Sequence, residues 1–303
     1  MRLVYLGSPE AAVEPLHALV TSGHDILLVV TQPDRKRGRG AALLPSPVKA
    51  AALELDLAVT DQVNDIPQVV ADGAELGVVV AFGQLIRKPV LDILPFINLH
   101  FSLLPRWRGA APVERALLAG DAETGVCLMG LEAGLDTGPV YDRVTTEILA
   151  SDDLATLRAR LVGVGTEMLI RRLSGGFATL GTPQPQHGES TYAAKLDPSE
   201  FEIDWSSSAE VISRLVRLGY AWTTFRGKRF KILVAHVVKV VQGHVEPDVV
   251  GGVGSLQLAN GVRVCTGDGH LELLRVQPEG KSAMDIQSWR NGAKPTETDV
   301  MGR

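Results

Sequence analysis

The chain has 303 residues, 30 Lys+Arg against 35 Asp+Glu for a formal net charge of -5, and 45% hydrophobic residues. That length exceeds what one compact core usually organises, so two domains are expected, while the acidic balance taken whole argues against a nucleic-acid binder. The opening residues are too soon interrupted for a secretory signal, and no apolar run approaches the ~20 residues of a membrane helix, so a cytoplasmic protein without membrane partners is expected. Cys127 and Cys265 stand far apart with no His or Cys at ligand spacing, which predicts two ordinary thiols, no disulfide framework and no metal site.

In chain order, apolar residues 3–6, a turn at Gly7-Ser8-Pro9 and an alanine-rich segment to Val20 read as strand, turn and helix, with a second strand over 25–31. This is the β-α-β opening of a Rossmann-like α/β domain. Gly7-Ser8-Pro9-Glu10 lacks the second and third glycines of a dinucleotide fingerprint, so the fold is suggested without nucleotide binding. A basic run follows, Asp34-Arg35-Lys36-Arg37-Gly38-Arg39-Gly40, whose glycines favour a mobile loop, and then a helix over 48–54. Residues 77–83 form a short apolar run ended by glycine, as expected of a central parallel strand, and ligands gather at the carboxyl ends of such strands.

Residues 98–112 concentrate polar groups at the end of a segment that otherwise reads as a buried strand. Alternation puts Asn98 and His100 on one face and Leu99 and Phe101 on the other. Further on, Gly134-Leu135-Asp136-Thr137-Gly138 sets a carboxylate in a glycine-flanked loop, which makes Asp136 the natural partner of His100. A histidine beside apolar residues is more often a satisfied core group, and an aspartate between glycines a turn residue. Arg106, Trp107 and Arg108 precede Gly109 on a predicted loop at the cleft rim, where guanidiniums fit the carboxylates of a small ligand and nucleic-acid phosphates equally. Strands are expected over 124–131 and 139–148, and an amphipathic helix over 152–173. Glycines and prolines between 175 and 188 break all periodicity, so the domain boundary is placed there: 1–186, a linker 187–206, and 207–303. The last part opens with a helix from Ser208 to Leu218 and continues in short strands, such as 230–234 and 261–264, that suit a small β-barrel. Residues 207–303 carry 13 Lys+Arg and 9 Asp+Glu, a balance of +4, so residues 1–206 hold -9 of the total -5. A mildly basic second domain suits phosphate contacts.

The pattern Asn-x-His-x-Ser-Leu-Leu-Pro-Arg-x-Arg-Gly-Ala-Ala-Pro over 98–112, followed by Leu-Asp-Thr-Gly, resembles the 10-formyltetrahydrofolate-dependent formyltransferases. The likeness runs from Gly7-Ser8-Pro9 to Gln277-Pro278-Glu279-Gly280-Lys281, and is greatest to the branch that acts on methionyl-initiator tRNA. The resemblance implies a Rossmann-like catalytic domain with a C-terminal OB-like barrel, a monomer, and 10-formyltetrahydrofolate as formyl donor without a metal. It implies catalysis by Asn98, His100 and Asp136, and a pterin pocket lined by Phe82, Gly83, Leu85, Ser102, Leu103, Leu104 and Pro105. It also implies tRNA contacts from Arg35, Lys36, Arg37 and Arg39 in the basic run and from Lys228 and Arg229 in the barrel, each of which also reads as a solvated charge. Formylation of a small amine, a nucleotide-linked sugar or glycinamide ribonucleotide, is the rival reading, and a catalytically idle folate- or RNA-binding protein a third. The chain departs from the family pattern at Ala11, where an aromatic is usual, and at residues 220–223, which replace a proline-rich segment.

Overall fold

The structure is a computed structural model that describes residues 1–37, 42–238, 252–259 and 261–303. Two compact units share the chain: Met1–Val113, Ala122–Ile148 and Thr156–Lys195 form one, and Glu114–Asp121, Leu149–Ala155 and Leu196–Arg303 the other.

The first unit is built on a seven-stranded sheet. Its strands run in the order Val140–Glu147, Glu123–Gly130, Phe96–His100, Leu76–Val80, Arg2–Gly7, Asp25–Val30 and Val59–Thr60. The five from Phe96–His100 to Val59–Thr60 are parallel, whereas Glu123–Gly130 and Val140–Glu147 add an antiparallel edge. Every residue of Leu76–Val80 and Phe96–His100 is buried, as a parallel strand covered on both faces requires, which explains the apolar run of the first and makes the polar Asn98 and His100 of the second stand out. The strand order reverses beside Arg2–Gly7, and the crevice at such a reversal is where open α/β sheets hold ligands. His100 ends its strand on that same carboxyl side.

Helix starts follow their caps. The Ser46 hydroxyl accepts from the Lys49 amide at 3.0 Å, with Pro47 as the first helical residue of Pro47–Glu54. Leu154–Leu173 matches the expected long helix. The basic run, expected as a loop, instead forms a hairpin arm: Arg35–Arg37 pairs antiparallel with Ala42–Leu44. The consecutive apolar residues Ala42–Leu44 of the returning arm supply a partner strand that the glycines of the run concealed. Arg39 lies outside the described residues.

The second unit is mainly an antiparallel sheet, ordered Trp222–Phe225, Lys228–Val238, His270–Pro278, Arg263–Cys265 and Leu256–Gln257, with Met284–Asp285 also paired to His270–Pro278. The strand Lys228–Val238, of 11 residues, replaces the shorter one expected over 230–234, and pairs with a second long strand, His270–Pro278, of 9 residues. Their register slips near Val234, so the period-2 alternation changes face and hides the continuity. Trp289, from the helix Ile286–Ala293, packs edge-on against Phe225 and Phe230 within the unit's core. The Ser208-capped helix Ala209–Val216 buries Ile212 and Val216 in that same core. Among the described residues no helix is long and apolar enough to cross a membrane.

Candidate active site

Asn98 and His100 sit two residues apart on one face of Phe96–His100, and they are 9% and 5% exposed. Burial makes their hydrogen bonds informative, because a buried polar group must be paired or poised for a partner. The imidazole Nε2 lies 2.8 Å from the Trp107 carbonyl oxygen. A carbonyl only accepts, so Nε2 bears the proton and donates it, which leaves Nδ1 as the working nitrogen. Nδ1 faces Asp136 Oδ2 at 3.7 Å. That separation is beyond a direct hydrogen bond but sets the carboxylate squarely beside the free ring nitrogen. No side-chain hydrogen bond holds the Asn98 amide among the described residues.

Asp136 is placed by backbone geometry. Its φ is +50°, in the left-handed region that aspartate tolerates better than most residues. The Gly109 amide donates to Asp136 Oδ2 at 2.8 Å, so the oxygen that faces His100 is also the anchored one. Gly109 has φ +117° and its own short strand, Arg108–Gly109, pairs with Tyr192–Ala193. Trp107 is fixed in turn, since its amide donates to Thr191 Oγ1 at 2.9 Å. Residues 191–193 thereby brace the turn that holds His100, a contribution across more than 80 residues that nothing local in the sequence marks.

Arg108, expected to offer its guanidinium to a folate tail or a phosphate, is engaged within the protein: Nε and Nη2 donate to Gln186 Oε1 at 3.1 and 2.7 Å. Arg106 lies over the Trp107 ring, 4.5 Å from its centroid. The seven residues expected around a pterin fall into three groups. Phe82, Ser102 and Leu104 are buried, and the Ser102 hydroxyl is committed to the Arg106 carbonyl at 2.6 Å. Leu103 and Pro105 are half-buried. Gly83 and Leu85 are exposed, Leu85 at 77%, an unusual position for a leucine at the carboxyl end of a core strand.

Of the basic residues, Arg35 and Lys36 are exposed on the hairpin arm, with Arg35 Nη2 donating to Gln32 Oε1 at 3.2 Å. Arg37 belongs to the same arm. Lys228 and Arg229 are exposed in the second unit, where the Arg229 guanidinium stacks on Trp222 at 4.2 Å. Cys127, opposite His100 in the sheet, is fully buried, and burial pushes its thiol up, so it stays a neutral packing group. Among the described residues no group of three or more His, Cys, Asp or Glu side chains converges as a metal site.

Comparison with known proteins places this geometry among relatives. Residues 1–173 match the family model described as formyl transferase, and residues 195–294 the one described as formyl transferase, C-terminal domain. A methionyl-tRNA formyltransferase of Jannaschia sp. is 43% identical over 97% of this chain and 97% of its own. In three dimensions, an N-formyltransferase from Helicobacter canadensis, in complex with folinic acid and dTDP-3-aminofucose, aligns with a TM-score of 0.66 at 16% identity, covering 91% of this chain and 98% of its own. A methionyl-tRNA formyltransferase from Clostridium thermocellum aligns with a TM-score of 0.57 at 15% identity, over 78% and 94%. At those identities the two structures speak for the fold alone, and only the sequence relative bears on the acceptor.

Proposed function

The chain belongs to the formyl transferase family through both of its matched regions, and from that premise we propose that it transfers the formyl group of 10-formyltetrahydrofolate to the α-amino group of methionyl-initiator tRNA for the initiation of protein synthesis. The observation that carries the catalytic assignment is the facing pair of His100 Nδ1 and Asp136 Oδ2, beside an Asn98 amide without a side-chain hydrogen bond among the described residues.

The reaction asks little of a base. The attacking α-amine has an ordinary pKa of about 8, so a usable neutral fraction exists at pH 7. Its nitrogen attacks the formyl carbon, a tetrahedral species forms with its charge on oxygen, and the bond from that carbon to the folate nitrogen breaks as the folate nitrogen takes a proton. The attacking nitrogen sheds a proton in exchange. Asn98 supplies a neutral N–H donor to the oxyanion, and His100, oriented by Asp136, supplies a second and relays protons. Asp136 receives and returns the proton, directly or through water.

The exposed Arg35 and Lys36, with Arg37 and Arg39 of the same basic run, then serve tRNA phosphates, as do Lys228 and Arg229. Leu85 and Gly83 form the accessible part of a pterin pocket whose floor is Phe82, Ser102 and Leu104, with Leu103 and Pro105 at its side. The catalytic domain is read as 1–186, the linker as 187–206 and the tRNA-binding domain as 207–303, in a monomer. An OB-like barrel is the reading of the second sheet, supported by the C-terminal tail, where Met301 bridges to Phe225 in the first strand and Val300 to Ser255 beside the last.

Single-turnover formyl transfer to methionyl-initiator tRNA tests the assignment. His100→Ala and Asn98→Ala each lose an oxyanion donor and are expected to slow transfer by roughly a hundredfold or more. Near wild-type rates from either variant, folded by circular dichroism, remove that residue from the catalytic set.

A further inference from the structure

Gln186 makes four hydrogen bonds with one side chain, two to the loop that carries Asp136 and two to Arg108. Its Nε2 donates to the carbonyl oxygens of Asp136 and Gly138, both at 2.8 Å. Its Oε1 accepts from Nε and Nη2 of Arg108 at 3.1 and 2.7 Å. The amide's orientation is forced, because a guanidinium only donates and a carbonyl only accepts. Arg108 in turn precedes Gly109, whose amide holds the Asp136 carboxylate at 2.8 Å. The ring therefore closes: Arg108, Gln186, the Asp136 backbone, the Asp136 carboxylate and back to Gly109.

We propose that Gln186, locked by Arg108, is a positioning residue that holds Asp136 in its left-handed conformation so that Oδ2 faces His100 Nδ1. This rests on the catalytic reading of Asp136 given above, and it deepens that reading. The conformation needs such a support. A non-glycine residue at φ +50° is strained and persists only where its surroundings over-determine it. Two donated bonds to the loop's carbonyls and one to its carboxylate supply that determination. Arg108 is thereby withdrawn from the folate and the tRNA, since two of its donors and its orientation are spent on Gln186.

The discriminating variant is Gln186→Glu. A carboxylate keeps the Arg108 partnership, even strengthens it, but presents oxygen to the carbonyls of Asp136 and Gly138 where a donor is needed. The loop should detach while the fold survives. Expected are a fall in kcat for methionyl-tRNA formylation of about tenfold or more, as a misplaced reacting group brings, with KM for both substrates within about twofold. Amide hydrogen exchange at Gly109 should quicken, because its acceptor has moved. Added to Asp136→Asn, the change Gln186→Glu should cost nothing further in kcat, since a positioning residue has no work left once its client is gone. Arg108→Met frees the glutamine amide and should give a smaller loss of the same kind, which carries the test if Gln186→Glu does not fold. Wild-type kcat or unchanged Gly109 exchange in Gln186→Glu overturns the proposal, as does an equal further loss in the Asp136→Asn background, which marks general damage. Full activity of Asp136→Asn alone would overturn the catalytic reading instead, and Gly109 exchange would still decide whether Gln186 holds the loop.

Discussion

Replacing Gly109 by alanine probes the joint between scaffold and site. Gly109 has φ +117°, a conformation that L side chains rarely adopt, and an added Cβ would meet the Ala193 carbonyl oxygen at 2.9 Å. Ordinary contact begins at 3.4 Å, so the backbones must part by 3.4 − 2.9 = 0.5 Å. The strain of the positive φ costs about 1–3 kcal/mol and the crowding a further amount of about 1 kcal/mol or more, for a stability loss of roughly 2–4 kcal/mol. If the shift is taken by Gly109, its bond to Asp136 Oδ2 stretches from 2.8 Å by that same half ångström and weakens. A misplacement of about 1 Å can cost a hundredfold in rate, so roughly tenfold in kcat is expected here. Gly23→Ala is the control: its φ is +81°, yet nothing lies within 4 Å of the added atom, so it should lower the melting temperature through strain alone and leave kcat intact. Thermal unfolding and single-turnover kinetics on both variants separate the two effects. A Gly109→Ala enzyme with wild-type kcat would refute the idea that this amide sets the Asp136 carboxylate.

Two further outcomes are expected. Changing Lys36, Arg37 and Arg39 together to alanine should raise the apparent KM for tRNA and flatten its salt dependence while formylfolate binding stays the same, and an unchanged kcat/KM across a salt series would remove the hairpin from the tRNA interface. Asp142 accepts from Arg171 Nη2 and Arg172 Nε, both at 2.8 Å. Burial raises its carboxyl, but those guanidinium bonds outweigh it and hold the group below its ordinary value of 3.8. A folded-state pKa below the unfolded one stabilises above that ordinary value and loses the contribution as pH falls through the lower one, so Asp142→Asn should destabilise at neutral pH and converge with wild type in acid. Melting curves between neutral pH and about pH 2 check the sign, and a gap that persists undiminished in acid contradicts it.

Much of the first unit was legible because its cause is local. Buried parallel strands write continuous apolar runs, and the alternation of Asn98 and His100 follows from the two-residue period of any strand. What stayed hidden depends on tertiary neighbours. Gln186 stands in a stretch of prolines and glycines without periodicity, and nothing around it signals a bond to a loop 50 residues away. Arg108 read as a free rim cation because a guanidinium looks alike in sequence whether it meets solvent, ligand or a glutamine. The hairpin arm was obscured by glycines, and the helix Pro112–Ala119 went unremarked although proline at its first position is a start signal. The 11-residue strand Lys228–Val238 was read short, as 230–234, because the slip in its register against His270–Pro278 scrambles the alternation on which such readings depend.

The acceptor is the central claim, since the fold is shared by enzymes with different ones. Purified protein should be given 10-formyltetrahydrofolate and, in parallel, methionyl-initiator tRNA, glycinamide ribonucleotide and an amino-sugar nucleotide, with formyl transfer followed for each. The account predicts rapid transfer to methionyl-initiator tRNA, abolished by His100→Ala, and none of consequence to the small amines. Preferential formylation of either small amine would contradict it.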